Sequence, residues 1–247
     1  MSNRATFLGH STALIEAGPL SILTDPIFSH RVLWNKRRIP FPLRPEEIPE
    51  PTAILISHAH YDHLDIPSFK YFSSKVPIVL PTGIGRLLKK HFKNPLIELS
   101  HGVSQEIRPG LRVTPFPVAH RGFRLCGFTY RACNGYLIEM NGLKIFFPGD
   151  TGYRPDFVKL KGVDLALLPI GPCEPEWFMR SRHLNPEDTL KVAEEIEAKL
   201  TIPIHWGAFK LGTDPFDEAI VNFRRLVHGK HLGDRIKVLK PGQSISL

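Results

Sequence analysis

Cysteine is scarce in this chain: three among 247 residues, Cys126, Cys133 and Cys173, with no C-x-x-C spacing. That suggests neither a disulfide framework nor a cysteine-based zinc knuckle, and it reads as reduced, packed thiols. Apolar runs long enough to cross a bilayer are absent too. The opening residues, Met-Ser-Asn-Arg-Ala-Thr-Phe, lack the apolar stretch and cleavage site of a secretory signal, so the cytoplasm is the expected compartment. Low-complexity segments, clean repeats and Ser/Gly linkers are missing as well. With 42% hydrophobic and 23% charged residues, the chain reads as one globular domain over 1–247.

Acidic residues are the minority charge, 24 against 32 Lys and Arg, for a net +8. Such a balance favours anionic partners or a generally basic, solvated surface. Basic residues gather in His30-Arg31-Val32-Leu33-Trp34-Asn35-Lys36-Arg37-Arg38, ahead of Pro40, Pro42 and Pro45. This segment reads as a loop, either a nucleic-acid patch or a wall beside a site for an anionic substrate.

Short apolar runs dominate, punctuated by turn residues. Ala13 to Ala17 and Leu20 to Thr24 flank Gly18-Pro19 and predict a hairpin; Asn134 to Met140 and Leu143 to Phe147 flank Asn141-Gly142 and predict another. Val163 to Ile170, Thr201 to His205, Ile78 to Leu80 and Leu111 to Val118 read as further strands. Asn185-Pro186-Glu187-Asp188 opens a helix that the apolar stripe carries to Leu200. Gly83 to Phe92 and Phe216 to Val227 are two more predicted helices. Each half of the chain thus holds hairpin strands and then single strands mixed with helices, predicting two sheets with helices outside.

What is plentiful is histidine, twelve residues, and one segment concentrates it. His58-Ala59-His60-Tyr61-Asp62-His63 follows the apolar run Ala53 to Ile56 and packs three imidazoles and a carboxylate into six positions. Imidazole and carboxylate are ligands for zinc, iron or manganese, and such a run buries little apolar area. His58 and His60, two apart, share a side on an extended backbone. Asp62 and His63 turn to a neighbouring position, so one loop offers a ligand pair to each of two adjacent metals. Asp65, before Ile66-Pro67, reads as a helix cap.

Three further candidates sit where strands end: His120 after Val113 to Val118, Asp150 in Pro148-Gly149-Asp150, and His205 in Ile204-His205-Trp206. Asp25, in Thr24-Asp25-Pro26, suits an Asx-type turn, with support of a ligand histidine as the alternative. His183 precedes the Asn185 cap. It is a candidate for phosphate contact or leaving-group protonation, or it packs at a helix start.

His58-x-His60-x-Asp62-His63 followed by His120, Asp150 and His205 resembles the metallo-β-lactamase superfamily in order and spacing. Within it, Ile22-Leu23-Thr24-Asp25-Pro26-Ile27-Phe28-Ser29, Phe147-Pro148-Gly149-Asp150-Thr151-Gly152-Tyr153, Glu176-Trp177-Phe178-Met179-Arg180, His183-Leu184-Asn185-Pro186-Glu187 and Ile204-His205-Trp206-Gly207 resemble the N-acyl phosphatidylethanolamine-hydrolysing phospholipase D group. The resemblance implies an α/β fold, a four-layer αββα sandwich of two mixed sheets. It implies a dinuclear site for two divalent metal ions, zinc with manganese or iron as alternatives. His58, His60 and His120 would hold one ion, Asp62, His63 and His205 the other, and Asp150 would bridge them. The reaction implied is hydrolysis by a bridging hydroxide, which Asp62 could orient. A carboxylate at 150, unlike cysteine, suits two hard cations.

A phosphodiesterase acting on an anionic small molecule or lipid is therefore the expected activity, with contact to a membrane surface as a further expectation. A lactonase is the alternative. A nuclease ranks lower, because no separate nucleic-acid-binding insertion is visible. A non-catalytic metal-binding module would need a closed ligand shell.

Overall fold

Successive side chains of a strand point to opposite faces, so the continuous apolar runs of this chain bury two faces at once. The computed structural model describes residues 3–124 and 132–247, which leaves Cys126 outside the described residues. In chain order the first half holds β1 (Arg4–Gly9), β2 (Thr12–Ala17), β3 (Leu20–Thr24), β4 (Arg31–Val32), β5 (Asn35–Lys36), β6 (Ala53–Leu55), β7 (Ile78–Pro81), helix α1 (Gly85–Leu88) and β8 (Leu96–Leu99). The second holds β9 (Gln105–Arg108), β10 (Leu111–Phe116), β11 (Gly135–Met140), β12 (Leu143–Phe147), β13 (Leu165–Pro169), α2 (Glu176–Met179), α3 (Pro186–Glu195), β14 (Leu200–Ile204), α4 (Glu218–Gly229) and β15 (Ser244–Ser246).

Two sheets result, ordered β15-β1-β2-β3-β6-β7-β8 and β14-β13-β12-β11-β10-β9. Each is antiparallel where the hairpins lie and parallel where single strands follow: β3, β6, β7 and β8 in one, β12, β13 and β14 in the other. Ala53 and Leu55 of β6 face inward against Ile145, Phe147, Leu165 and Leu167 of the other sheet. Their neighbours Ile54, Phe146, Ala166 and Leu168 face outward. Phe157, α3 and α4 cover one outer face; Phe69, Phe72, Ile84 and Leu88 cover the other. The layering is helix–sheet–sheet–helix, as expected. Each fully buried Ile or Phe in these layers contributes roughly 1.5–3 kcal/mol.

Several local expectations shift. Helix α3 stops at Glu195 because Glu197 enters the left-handed region at φ 49, and Leu200 opens β14 instead of closing the helix. Its start is as expected, with Asn185 accepting from the Asp188 amide at 2.8 Å. The predicted helix over Gly83 to Phe92 shortens to α1; Glu98 of β8 accepts from the amides of Gly83 and Gly85 and pins its start. The basic segment is not a plain loop: β4 and β5 pair as a hairpin with Leu33 and Trp34 exposed between them. Within it Arg37 is committed to the carbonyls of Ile27 and Ser29. The Cys133 sulfur is buried and accepts from the Gly122 amide at 2.8 Å, and Cys173 is a free thiol. Among the described residues, no helix is long and apolar enough to cross a membrane.

Candidate metal centre

The polar residues singled out in the sequence meet at one edge of the sandwich. Asp25 follows β3, His58 to His63 follow β6, His120 follows β10, Asp150 follows β12 and His205 follows β14. Antiparallel partners separate β1 from β3 and β10 from β12, so all of these strands present their C-terminal ends to the same edge. Two backbone features tighten the edge. Gly149 has φ 62, and a β-carbon there would overlap the Ser57 side chain. His10 and Trp206 form an isolated antiparallel bridge that ties β1 of one sheet to β14 of the other.

Ligand atoms converge in overlapping groups, each within 4.8 Å: His58, His60, His120 and Asp150; His10, Asp62, His63 and His205; and Asp150, His183 and His205. His205 is shared by the second and third groups, and Asp150 by the first and third. Its Oδ2 lies 3.2 Å from His63 Nε2 and 3.7–3.8 Å from His58 Nε2, His120 Nε2 and His183 Nδ1. Its Oδ1 lies 3.1 Å from His205 Nε2. Asp62 Oδ2 lies 3.3 Å from His63 Nε2 and 3.4 Å from His205 Nε2. All eight residues expected at the site are therefore in one place.

Behind them, hydrogen bonds settle which ring nitrogens face inward. The Asp25 carboxylate only accepts, so His63 donates Nδ1–H to it at 2.6 Å and turns Nε2 to the centre. Ser57 donates its hydroxyl to Asp25 at 2.6 Å and so accepts from His58 Nδ1 at 2.9 Å. His120 donates Nδ1–H to the Arg182 carbonyl at 3.1 Å. Asp25 is thus more than a turn residue: its partners at 57 and 63 make it the support of two imidazoles, the alternative noted from the sequence. Asp65 caps differently from expectation. Its carboxylate takes the hydroxyls of Ser68 and Ser29 rather than a helix amide.

The electrostatics are those of a dense, buried cluster. Burial pushes Asp150 toward its neutral form, yet His205, His63 and His183 outweigh it and hold the carboxyl well below the usual range. Burial likewise opposes charge on His63 and His205. Asp150 and its neighbouring carboxylates prevail, raising His63 well above its ordinary value and His205 to about 9. Burial, reinforced by facing imidazoles, lowers His58 far below 6.5. Burial lowers His60 to about 4 and His183 to about 3.

These residues fit metal cations better than they fit one another. His63 Nε2, His205 Nε2, His183 Nδ1 and Asp150 Oδ1 are buried without a hydrogen-bond partner. His58 Nε2 and His120 Nε2 both point at His60 Nδ1, at 2.9 and 3.3 Å. One proton satisfies one such pair, whereas a cation among them satisfies all three nitrogens.

His10 was not foreseen. It is fully buried, donates Nε2–H to Asp62 Oδ2 at 2.8 Å, and lies 4.2 Å from the His205 ring. The sequence carries only a faint signal for it, a Gly-His pair at the end of a strand.

A helix–sheet–sheet–helix sandwich with an edge cluster of inward-facing imidazoles and carboxylates makes a candidate metal centre. A model of the beta-lactamase superfamily domain matches residues 21–206, and the chain belongs to that superfamily. It is 33% identical over 234 residues to N-acyl-phosphatidylethanolamine-hydrolyzing phospholipase D 1 of Caenorhabditis elegans, covering 86% of this chain and 66% of that protein. It is 35% identical over 230 residues to the mitochondrial N-acyl-phosphatidylethanolamine-hydrolyzing phospholipase D of Saccharomyces cerevisiae, covering 86% of this chain and 49% of that one. The chain thus spans between about half and two thirds of the length of these curated relatives. Among solved structures it is similar to Igni18, a metallo hydrolase from Ignicoccus hospitalis, with TM-score 0.76 at 20% identity over 100% of this chain and 99% of that one.

Proposed function

We propose that the chain, acting as one unit over residues 1–247, hydrolyses phosphodiesters with two divalent cations, and we assign zinc to them. His58, His60 and His120 would hold one, Asp62, His63 and His205 the other, and Asp150 both. The observation that carries this reading is Asp150, whose two oxygens address both sets of imidazoles from a fully buried position. Bound there, the cations supply a water of lowered pKa and stabilise charge on the attacking and leaving oxygens.

The chain's own residues do the rest. Asp62, held by His10, orients the attacking water. His183 stays neutral to about pH 3, so it gives an N–H hydrogen bond to a phosphate oxygen rather than a proton to the leaving group. Arg121 and Arg182 line a cavity of about 390 Å³ beside His120, which suits an anionic ester. Exposed Trp177 and Phe178, next to Arg180 and Arg182, offer the apolar and cationic contacts a lipid surface takes. The names of the two phospholipase relatives support a lipid phosphodiester within this class.

Elemental analysis of the purified protein, followed by a paired screen of bis(p-nitrophenyl) phosphate, phospholipids and lactones with the metal found, tests the proposal. Metal-dependent phosphodiester turnover is expected. Turnover of lactones alone would replace the phosphodiesterase with a lactonase, and full activity without metal would sink both.

A further inference from the structure

His10 falls within the second group of ligand atoms by distance, together with Asp62, His63 and His205. Its hydrogen bonding gives it a different part. Asp62 has only lone pairs to offer, so the 2.8 Å contact requires the proton on His10 Nε2. That nitrogen has no free lone pair for a cation.

The backbone of His10 is equally committed. Its amide donates to the Trp206 carbonyl at 2.9 Å, and its carbonyl accepts from the His205 amide at 2.8 Å. Both His10 and His205 sit in the left-handed region, at φ 57 and 62, so each is turned out of its strand toward the other. The rings then lie 4.2 Å apart. One residue at the end of β1 therefore grips the carboxylate of the β6 loop through its side chain and the histidine after β14 through its main chain.

Resting on the two-cation reading, we propose that His10 is a positioning residue for the cation held by Asp62, His63 and His205, and not a ligand to it. Its loss weakens that half of the centre and spares the half built from His58, His60 and His120.

The variants H10N and H10Q separate side chain from backbone. Asn accepts left-handed φ readily but is too short to reach Asp62. The Gln amide nitrogen can take the place of Nε2. Zinc affinity and stoichiometry are measured by chelator competition on metal-stripped protein, with the melting temperature of the metal-free form as the control. H10N is expected to lower the affinity of one cation by about 10–100-fold with the other unmoved, and H10Q to restore most of the loss. Equal affinities in native protein and H10N overturn the proposal. So does H10Q behaving as H10N, which would make the imidazole itself a ligand, and so does a uniform loss of both cations alongside a lowered metal-free melting temperature. The number of cations bound by the native protein tests the two-cation reading separately. The affinity ratio between native protein and H10N tests His10 whatever that number is.

Discussion

His63 donates its Nδ1–H to Asp25 across 2.6 Å, and neither side chain has any exposed surface. The same carboxylate takes the amide and hydroxyl of Ser57, which in turn accepts from His58. One anion thus orients an imidazole from each of the two histidine sets without entering either. Asp25→Asn keeps the shape but offers an amide that can donate to Nδ1, favouring the wrong tautomer of His63. Zinc affinity in a chelator competition is expected to fall by about 10–100-fold. An unchanged affinity would show that His63 is oriented by something other than Asp25.

Asp150→Ala removes the group common to both sets. Five imidazoles then lose the carboxylate that lies 3.1–3.8 Å away. Cation content should drop below that of the native protein, and phosphodiester turnover should fall by at least about 10³-fold, the loss expected when several kcal/mol of charge stabilisation disappear. Plasma emission spectroscopy and initial rates on one preparation check both. Loss of turnover with full cation content would reassign Asp150 from holding metal to handling substrate.

His183 shares a group of ligand atoms with Asp150 and His205, yet it enters from the segment before α3 rather than from a strand end. If it donates a hydrogen bond to substrate, His183→Asn lowers kcat by about 10²–10³ and leaves cation content alone. Metal analysis beside steady-state kinetics distinguishes this from a ligand, whose loss would empty part of the centre.

What could be read in the sequence was local. The density of His58 to His63, the Asn141-Gly142 turn and the Asn185 cap each declare themselves within a few residues, and each is where expected. Strand alternation gave the layering, because parallel strands buried on both faces have no other way to place consecutive apolar side chains. What stayed hidden depends on contacts between distant segments. His10 has meaning only once Trp206 and Asp62 lie beside it. For Asp25 the turn and the support of a ligand histidine are both open in the sequence, and only the contacts of residues 57 and 63 decide between them. Strands β8 and β9, with polar Glu98, Gln105 and Glu106, carry little periodic signal, and α3 is stopped by Glu197, just beyond it, in a conformation usually left to glycine.

If the proposed cations bind here, protons compete with them for the same atoms, which sets a pH signature. Without metal, His205 is held to about 9, above its ordinary 6.5. The folded form therefore binds this proton more tightly than the unfolded one. Its contribution to stability is complete below 6.5 and is lost as pH rises through about 9. His10 and His183 at about 3, and His60 at about 4, have the opposite sign. They stay neutral when folded, so stability falls as pH drops from 6.5 toward that range, because the unfolded chain takes up protons first. The metal-free protein is expected to be most stable near neutral pH and to weaken on both sides. If His205 holds a cation as proposed, zinc must displace the proton on its Nε2, so zinc affinity should rise with pH toward 9. The alkaline loss of stability should then vanish in saturating zinc. Urea unfolding between pH 5 and 9, with chelator and with zinc, checks both. A metal-free protein whose stability climbed from pH 7 to 9 would rule out a protonated His205 in the folded chain.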